Sequence, residues 1–187
     1  MRDLEATALA FDRATRAAGV SYALIGGFAV SAWGQPRTTS DIDALVDLPE
    51  GSIERFLASL QAEGLTTSKE DLHDVLRDGG HVTLFDAGSS FHVDAKLCRS
   101  ASEREEVARA TEVPFLGASL RFVRPEEAIV HKLRFGSEQD LADALSILAR
   151  QQGRLDEPRL DHLARSLGVA PALQRLRENV ARAEKER

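Results

Sequence analysis

One cysteine, Cys98, stands in a chain of 187 residues. That scarcity excludes an internal disulfide and any metal site made of several cysteines. No apolar run comes near the roughly 20 residues that span a bilayer, so no membrane partner is expected. Internal repeats and low-complexity tracts are missing as well. His73, His81 and His162 share no metal-ligand spacing, and His131 would point to a different helix face from Lys132. An export signal needs an apolar start, whereas MRDLEATALAFDRATRAAG carries Asp3, Glu5 and Asp12; a cytoplasmic protein is the expectation.

Basic charge is scarce too, with a net charge of −6. Residues 150–187 hold nine Lys and Arg against six Asp and Glu, which leaves the first 149 residues at −9. A body so acidic argues against a broad, non-specific grip on nucleic acid, without excluding a local basic groove. The one basic surplus, with Arg159, Arg165, Arg175, Arg177 and Arg182, reads first as a solvated helix face.

At 43% hydrophobic, the chain is long enough for one good core and a small helical appendage. Leu4, Ala8, Phe11 and Thr15 share a stripe, which predicts a helix over residues 3–18 stopped by Gly19. VSYALIGG suits a short strand, residues 28–33 a helix broken at Gly34 and Pro36, and DIDALVD a second strand. Residues 50–63 make an amphipathic helix ending at Gly64; residues 69–78 are ambiguous, with a short helix as one reading. HVTLFDAGSSFHVDAKLC reads as a hairpin, residues 103–110 as a helix, and EVPFLGASLRFV as a second hairpin. From Pro125 the pattern is wholly helical, over 125–135, 138–150, 158–167 and 171–184. The expected class is α+β: a small mixed sheet with helices on one face over residues 1–124, then a helical bundle over 125–187.

Chemistry concentrates in GGFAVSAWGQPRTTSDID, from Gly26 to Asp43. Alternation along a strand puts Asp41 and Asp43 on one side, about 7 Å apart along the chain. Two such carboxylates repel unless a cation or proton sits between them. Hard divalent cations such as Mg²⁺ take one or two protein carboxylates and fill the shell with phosphate and water. An acidic strand end in solvent is the plainer alternative. In FHVDAKL, Phe91, Val93, Ala95 and Leu97 form one face and His92, Asp94 and Lys96 the other, so Asp94 is a third acid on the same small sheet. A half-exposed antiparallel strand fits that pattern equally well. Gly26 and Gly27, between a strand and a helix, would leave N–H groups open to an anion at the helix start. Glycine there lets a phosphate approach without a Cβ in the way. Trp33 reads as core, and Cys98 as a buried thiol.

Gly-Gly followed by D-x-D, with a later acid on another strand, resembles the nucleotidyltransferase superfamily that includes DNA polymerase β. Closer still are small bacterial members in which Gly-Gly leads to R-x-T-x-D-x-D, here Arg37, Thr39, Asp41 and Asp43. The segment RPEEAIVHKLRFGSEQDLADALSIL is similar to one in abortive-infection nucleotidyltransferase toxins, with Lys132 on one helix and Asp140 and Asp143 opening the next. The likeness covers roughly residues 20–150. It departs at Gly27, a serine in many relatives, and residues beyond 150 match no named segment.

The resemblance implies transfer of a nucleoside monophosphate from a nucleoside triphosphate to an RNA, protein or small-molecule acceptor. It implies two Mg²⁺ ions (or Mn²⁺), with Asp41 and Asp43 ligating both and Asp94 completing one while taking the acceptor's proton. Arg37, Lys96 and Lys132 would offset phosphate charge, and Thr39 would bond a phosphate oxygen. Asp140 and Asp143 could instead serve as helix-start acids. A cognate toxin or antitoxin partner, or an aminoglycoside acceptor drawn by the acidic body, follows from different relatives. A catalytically silent nucleotide- or partner-binding relative is the rival class, and a helical interaction module would leave the glycine and acid motifs unexplained.

Overall fold

Helix α1 (Leu4–Ala18) begins where the Asp3 carboxylate accepts from the Ala6 N–H, and it stops at Gly19, whose φ of +64° is left-handed. The chain then enters β1 (Ser21–Leu24), which ends where the Ile25 N–H bonds the Asp43 carbonyl. Helix α2 (Gly26–Trp33) starts at the glycines themselves, two residues earlier than the periodicity predicts. The computed structural model describes residues 2–185. By its internal contacts the chain forms two units, Met1–Phe28 with Thr38–Val123, and Ala29–Arg37 with Arg124–Arg187.

The first unit is built on a seven-stranded mixed sheet. After β1 come β2 (Ile42–Asp47), a 3₁₀ turn (Glu50–Ser52), α3 (Ile53–Ala62) and β3 (Leu65–Thr66). Then follow α4 (Lys69–Asp78), β4 (His81–Asp86), β5 (His92–Leu97), α5 (Ala101–Ala108), β6 (Thr111–Phe115) and β7 (Ala118–Phe122). The strand order is β3-β4-β5-β2-β1-β7-β6. Pairs β2·β5 and β1·β7 are parallel, whereas β1·β2, β3·β4, β4·β5 and β6·β7 are antiparallel. Both expected hairpins are present, and residues 69–78 are helical. The two-residue β3 is too short to leave a periodic signal.

Alternation decides the sheet's faces. Ile42, Ala44 and Val46 on β2 pair with Val93, Ala95 and Leu97 on β5, and all six are buried. Inside the unit, Phe11 of α1 meets Tyr22 of β1 edge-to-face with ring centroids 5.0 Å apart, and the Tyr22 hydroxyl donates to Asp12 at 2.7 Å. The Asp86 carboxylate, buried at the end of β4, accepts from Thr7 at 2.6 Å and from the Gly88 N–H at 2.8 Å. The buried hydroxyl and carboxylates of Tyr22, Asp12 and Asp86 are thus matched, as desolvation demands.

The second unit is helical. Helix α6 (Pro125–Phe135) ends at left-handed Gly136, and α7 (Glu138–Arg150) opens with a reciprocal cap between Ser137 and Asp140. Helix α8 (Glu157–Ser166) is capped by Asp156, and α9 (Ala170–Lys185) closes the described chain. Ile129, Ala144, Ile147, Leu160, Ala164 and Leu173 form its core. Residues 29–37 belong here because the Trp33 and Gly34 carbonyls accept from Gln151 and Arg150, at 2.7 and 2.6 Å. A mixed-sheet core joined to a helical C-terminal region is the α+β class expected from the sequence. Among the described residues no helix is long and apolar enough to cross a membrane.

Candidate active site

One row across three strands carries the chemistry. Asp43 on β2 is the register partner of Asp94 on β5, and Asp94 is the register partner of Thr83 on β4. Register partners project from the same face, and neighbouring strands lie about 4.8 Å apart. The two carboxylates therefore stand side by side, both half-buried, opposite the apolar face of Ile42, Ala44, Val93 and Ala95. The Thr83 hydroxyl donates to Asp94 Oδ1 at 2.8 Å, and His92 Nε2 lies 3.7 Å from Asp94 Oδ2. No lysine or arginine among the described residues pairs with Asp94.

Asp41 stands one residue before β2 rather than within it. The Thr39 hydroxyl bonds its Oδ1 at 2.9 Å and lies 3.3 Å from its carbonyl, a local side-chain-to-backbone bond that competes with ladder pairing. Asp41 and Thr39 thus act as a pair at the mouth of the strand. This detail escapes period-2 reading, which assigns Asp41 to the same face as Asp43 without showing where pairing begins.

The glycines pack against these acids. Gly26 has φ +58°, and a Cβ there would lie 2.1 Å from Asp43 Oδ2. A Cβ at Gly27 would lie 2.8 Å from Thr39 Oγ1. The first turn of α2, positive in its dipole, is therefore in direct contact with the Asp43 carboxylate and the Thr39 hydroxyl. The room that glycine leaves is taken up by those two side chains.

Of the cationic candidates, Lys96 lies on the same sheet face but pairs with Glu103 of α5 at 2.7 Å. Burial acts to raise the Glu103 carboxyl, but the hydrogen bonds from Lys96 and from the Arg99 and Ser100 amides outweigh it, bringing Glu103 down to about 2. Arg37 and Lys132 belong to the helical unit. Arg37 Nε and Nη2 both reach the Asp143 carboxylate at 3.0 Å. Lys132 Nζ bridges Asp140 at 2.8 Å and Asp143 at 3.0 Å. Burial works to lower the Lys132 ammonium, yet its bonds to Asp140 and Asp143 leave it raised; burial works to raise Asp143, yet Arg37, Lys132 and Gln139 leave it lowered. The D-x-x-D pair is thus a clamp that matches two cations. Thr83 and Glu103 had no place in the motif reading; the cross-strand register of the β4·β5 hairpin was the one signal that could have placed Thr83 beside Asp94.

Among the described residues no three His, Cys, Asp or Glu side chains gather closely enough to hold a metal ion. The Asp43–Asp94 pair nevertheless suits a hard cation, which wants oxygen donors and takes one or two protein carboxylates beside phosphate and water.

The fold has counterparts among solved structures. The chain is similar to an antigenic nucleotidyltransferase-like protein from Paracoccidioides brasiliensis, 16% identical, with 92% of this chain and 91% of that one covered at a TM-score of 0.54. It is also similar to the solution structure of the antibiotic-resistance factor ANT(2'')-Ia, 14% identical over 100% of both chains at a TM-score of 0.56. The fold is that of the nucleotidyltransferases. A crystal structure of ANT(2'')-Ia in complex with adenylyl-2''-tobramycin shares this nucleotidyltransferase fold, 14% identical over 85% of this chain and 93% of that one at a TM-score of 0.55. No protein-family model and no curated protein matches the chain.

Proposed function

We propose that the chain is a metal-dependent nucleotidyltransferase that moves a nucleoside monophosphate from a nucleoside triphosphate to an acceptor hydroxyl. The observation that carries this reading is the register pairing of Asp43 and Asp94 on one face of a sheet with the nucleotidyltransferase fold. Asp43 and Asp94 would hold Mg²⁺ or Mn²⁺, with Asp41 beside them just before β2 as a further candidate. When bound, such ions lower the pKa of the attacking group and neutralise charge on the phosphates. The chain's own part is to place and to deprotonate. Thr83 fixes Asp94 through Oδ1, which leaves Oδ2 to take the acceptor's proton. The acceptor oxygen then bonds the α-phosphorus, the bond from that phosphorus to the bridging oxygen breaks, and pyrophosphate leaves. The N–H groups opening α2 would face phosphate, while Gly26 and Gly27 leave the room that Asp43 and Thr39 fill, and the Thr39 hydroxyl would turn to phosphate only by giving up its bond to Asp41.

The resemblance also gives Arg37, Lys96 and Lys132 to phosphate. Lys96 is already matched by Glu103 in its own unit, and Arg37 and Lys132 by Asp143 and Asp140 within the helical unit. RNA, protein and small molecules all fall within the proposed acceptor range. The −9 charge of residues 1–149, together with the likeness to ANT(2'')-Ia, supports a small cationic acceptor. A toxin–antitoxin setting rests on sequence resemblance alone. Incubation with labelled nucleoside triphosphates, Mg²⁺ and cell extract tests the proposal. Label should move from nucleotide into an acceptor with the parent protein and stay on nucleotide with Asp43→Asn. No transfer by the parent, or equal transfer by both, would overturn the assignment.

A further inference from the structure

A cavity of about 680 Å³ opens at the far end of β2 and β5 from the carboxylate row, within the sheet unit. That volume falls in the roughly 300–1,000 Å³ range of small-molecule sites. Asp47 on its wall stands about 13 Å along β2 from Asp43, so the cavity is separate from the proposed chemistry. Leu48, Leu76 and Cys98 give it an apolar surface. Burial pushes the Cys98 thiol up to about 12, so it lines the cavity as a neutral group. The walls are fixed in advance. Arg99 donates from Nη1 and Nη2 to the Asp78 and Arg77 carbonyls, both at 3.2 Å, which ties the end of α4 to the turn before α5. The reciprocal cap between Ser100 and Glu103 then sets the first turn of α5, next to Arg104.

Charges of both signs line the cavity, and they come from different elements. Asp47 and Glu50 belong to the end of β2 and the 3₁₀ turn, Arg77 and Arg104 to α4 and α5. Arg77 is engaged by Asp74 and Asp78, at 2.7 and 2.9 Å. Arg104 is not. Its Nε approaches Asp47 Oδ1 at 3.5 Å, longer than a hydrogen bond, and its two Nη groups have no partner among the described residues. The exposed Glu50 side chain has none among them either.

We infer that this cavity binds a small zwitterion with an apolar side chain, of the apolar α-amino acid class. The Arg104 fork takes the carboxylate, Glu50 and Asp47 take the ammonium, and the side chain lies on Leu48 and Leu76. A simple anion would meet Arg104 but face Asp47 and Glu50 as like charges. A simple cation would leave the Arg104 fork empty, and a zwitterion without an apolar body would leave the leucines uncovered.

The test compares L-leucine with isocaproate, which lacks the ammonium, isoamylamine, which lacks the carboxylate, and glycine, which lacks the side chain. Methyl NMR titrations of the parent, Arg104→Gln and Glu50→Gln give each affinity, and the assigned methyl groups of Leu48 and Leu76 report where binding occurs. Thermal melts confirm that all three proteins are folded. Leucine should shift the Leu48 and Leu76 methyl groups and bind the parent about two- to fivefold better than either single-charge analogue, with glycine weaker still. Arg104→Gln should erase the advantage of leucine over isoamylamine, and Glu50→Gln should narrow its advantage over isocaproate. The inference is overturned if leucine leaves both methyl groups unshifted, if either analogue binds as well as leucine, or if the two variants keep the parent's ratios. No readout depends on nucleotide or on transfer, so failure of the transferase reading would leave this test intact.

Discussion

At the scale of single residues, glycine and aspartate are constrained by each other. Gly19 and Gly26 both have left-handed backbones, but a Cβ at Gly19 meets nothing within 4 Å and one at Gly26 meets Asp43 at 2.1 Å. Gly19→Ala should therefore lose about 1–2 kcal/mol of stability from backbone strain and keep full activity. Gly26→Ala carries the same strain and also displaces the Asp43 carboxylate. It should lose transfer as well, and urea melts beside turnover assays separate the two cases. Asp43→Asn keeps size and polarity while removing charge. Transfer should be abolished with the fold intact, and the melting temperature should hold or rise as repulsion from Asp94 is relieved. Asp94→Asn should cost turnover on the order of 10²–10⁴-fold while nucleotide binding largely survives. Equal loss of binding and turnover would make Asp94 a ligand first.

At the scale of elements, the clamp joining α6, α7 and the 29–37 segment is the clearest electrostatic unit. Asp143 lies against Arg37, Lys132 and Gln139, with 4% of its side chain exposed. Asp143→Ala leaves Lys132, whose side chain is 13% exposed, with one carboxylate in place of two, and should destabilise by on the order of 2–4 kcal/mol in denaturant melts. The pH dependence follows from the directions of shift. Asp140 and Asp143 are lowered on folding, so their contribution is present above the ordinary aspartate value of about 4 and lost as pH falls through their folded values. Lys132 is raised, so its contribution is present below about 10.4 and lost as pH rises through its folded value. Glu103, lowered from 4.5 to about 2, adds an acid loss over that window from the α5 cap. Melts from pH 5 to pH 2 should therefore fall more steeply for the parent than for Glu103→Gln, and equal slopes would contradict the assignment.

At the scale of the whole molecule, charge and cation set the conditions for binding. A hard cation held by only two or three carboxylates needs phosphate oxygens to complete its shell. Mg²⁺ and a nucleoside triphosphate should therefore bind better together than either does alone, and calorimetry showing equal nucleotide affinity with and without Mg²⁺ would contradict this. The −9 charge of residues 1–149 should draw a cationic acceptor through a field that salt screens over about 10 Å at 0.1 M. The KM for such an acceptor should rise with ionic strength while kcat changes little.

Local signals determined most of the elements. The stripe of α1, the left-handed stops at Gly19 and Gly136, the two hairpins and the four C-terminal helices all follow from periodicity, caps and turn residues within a few positions of each other. The acids, the glycine pair and the D-x-x-D helix start could be picked out from the sequence in the same way. What they touch could not. The order β3-β4-β5-β2-β1-β7-β6 brings β5 beside β2, although they are separated by two helices and two strands along the chain. That pairing alone sets Asp43 against Asp94, and a slip of one residue would turn either acid to the buried face. Likewise, only packing sends Lys96 to Glu103 and Arg37 to Asp143, because a flexible cation goes to the nearest carboxylate in space, and distance along the sequence does not say which that is.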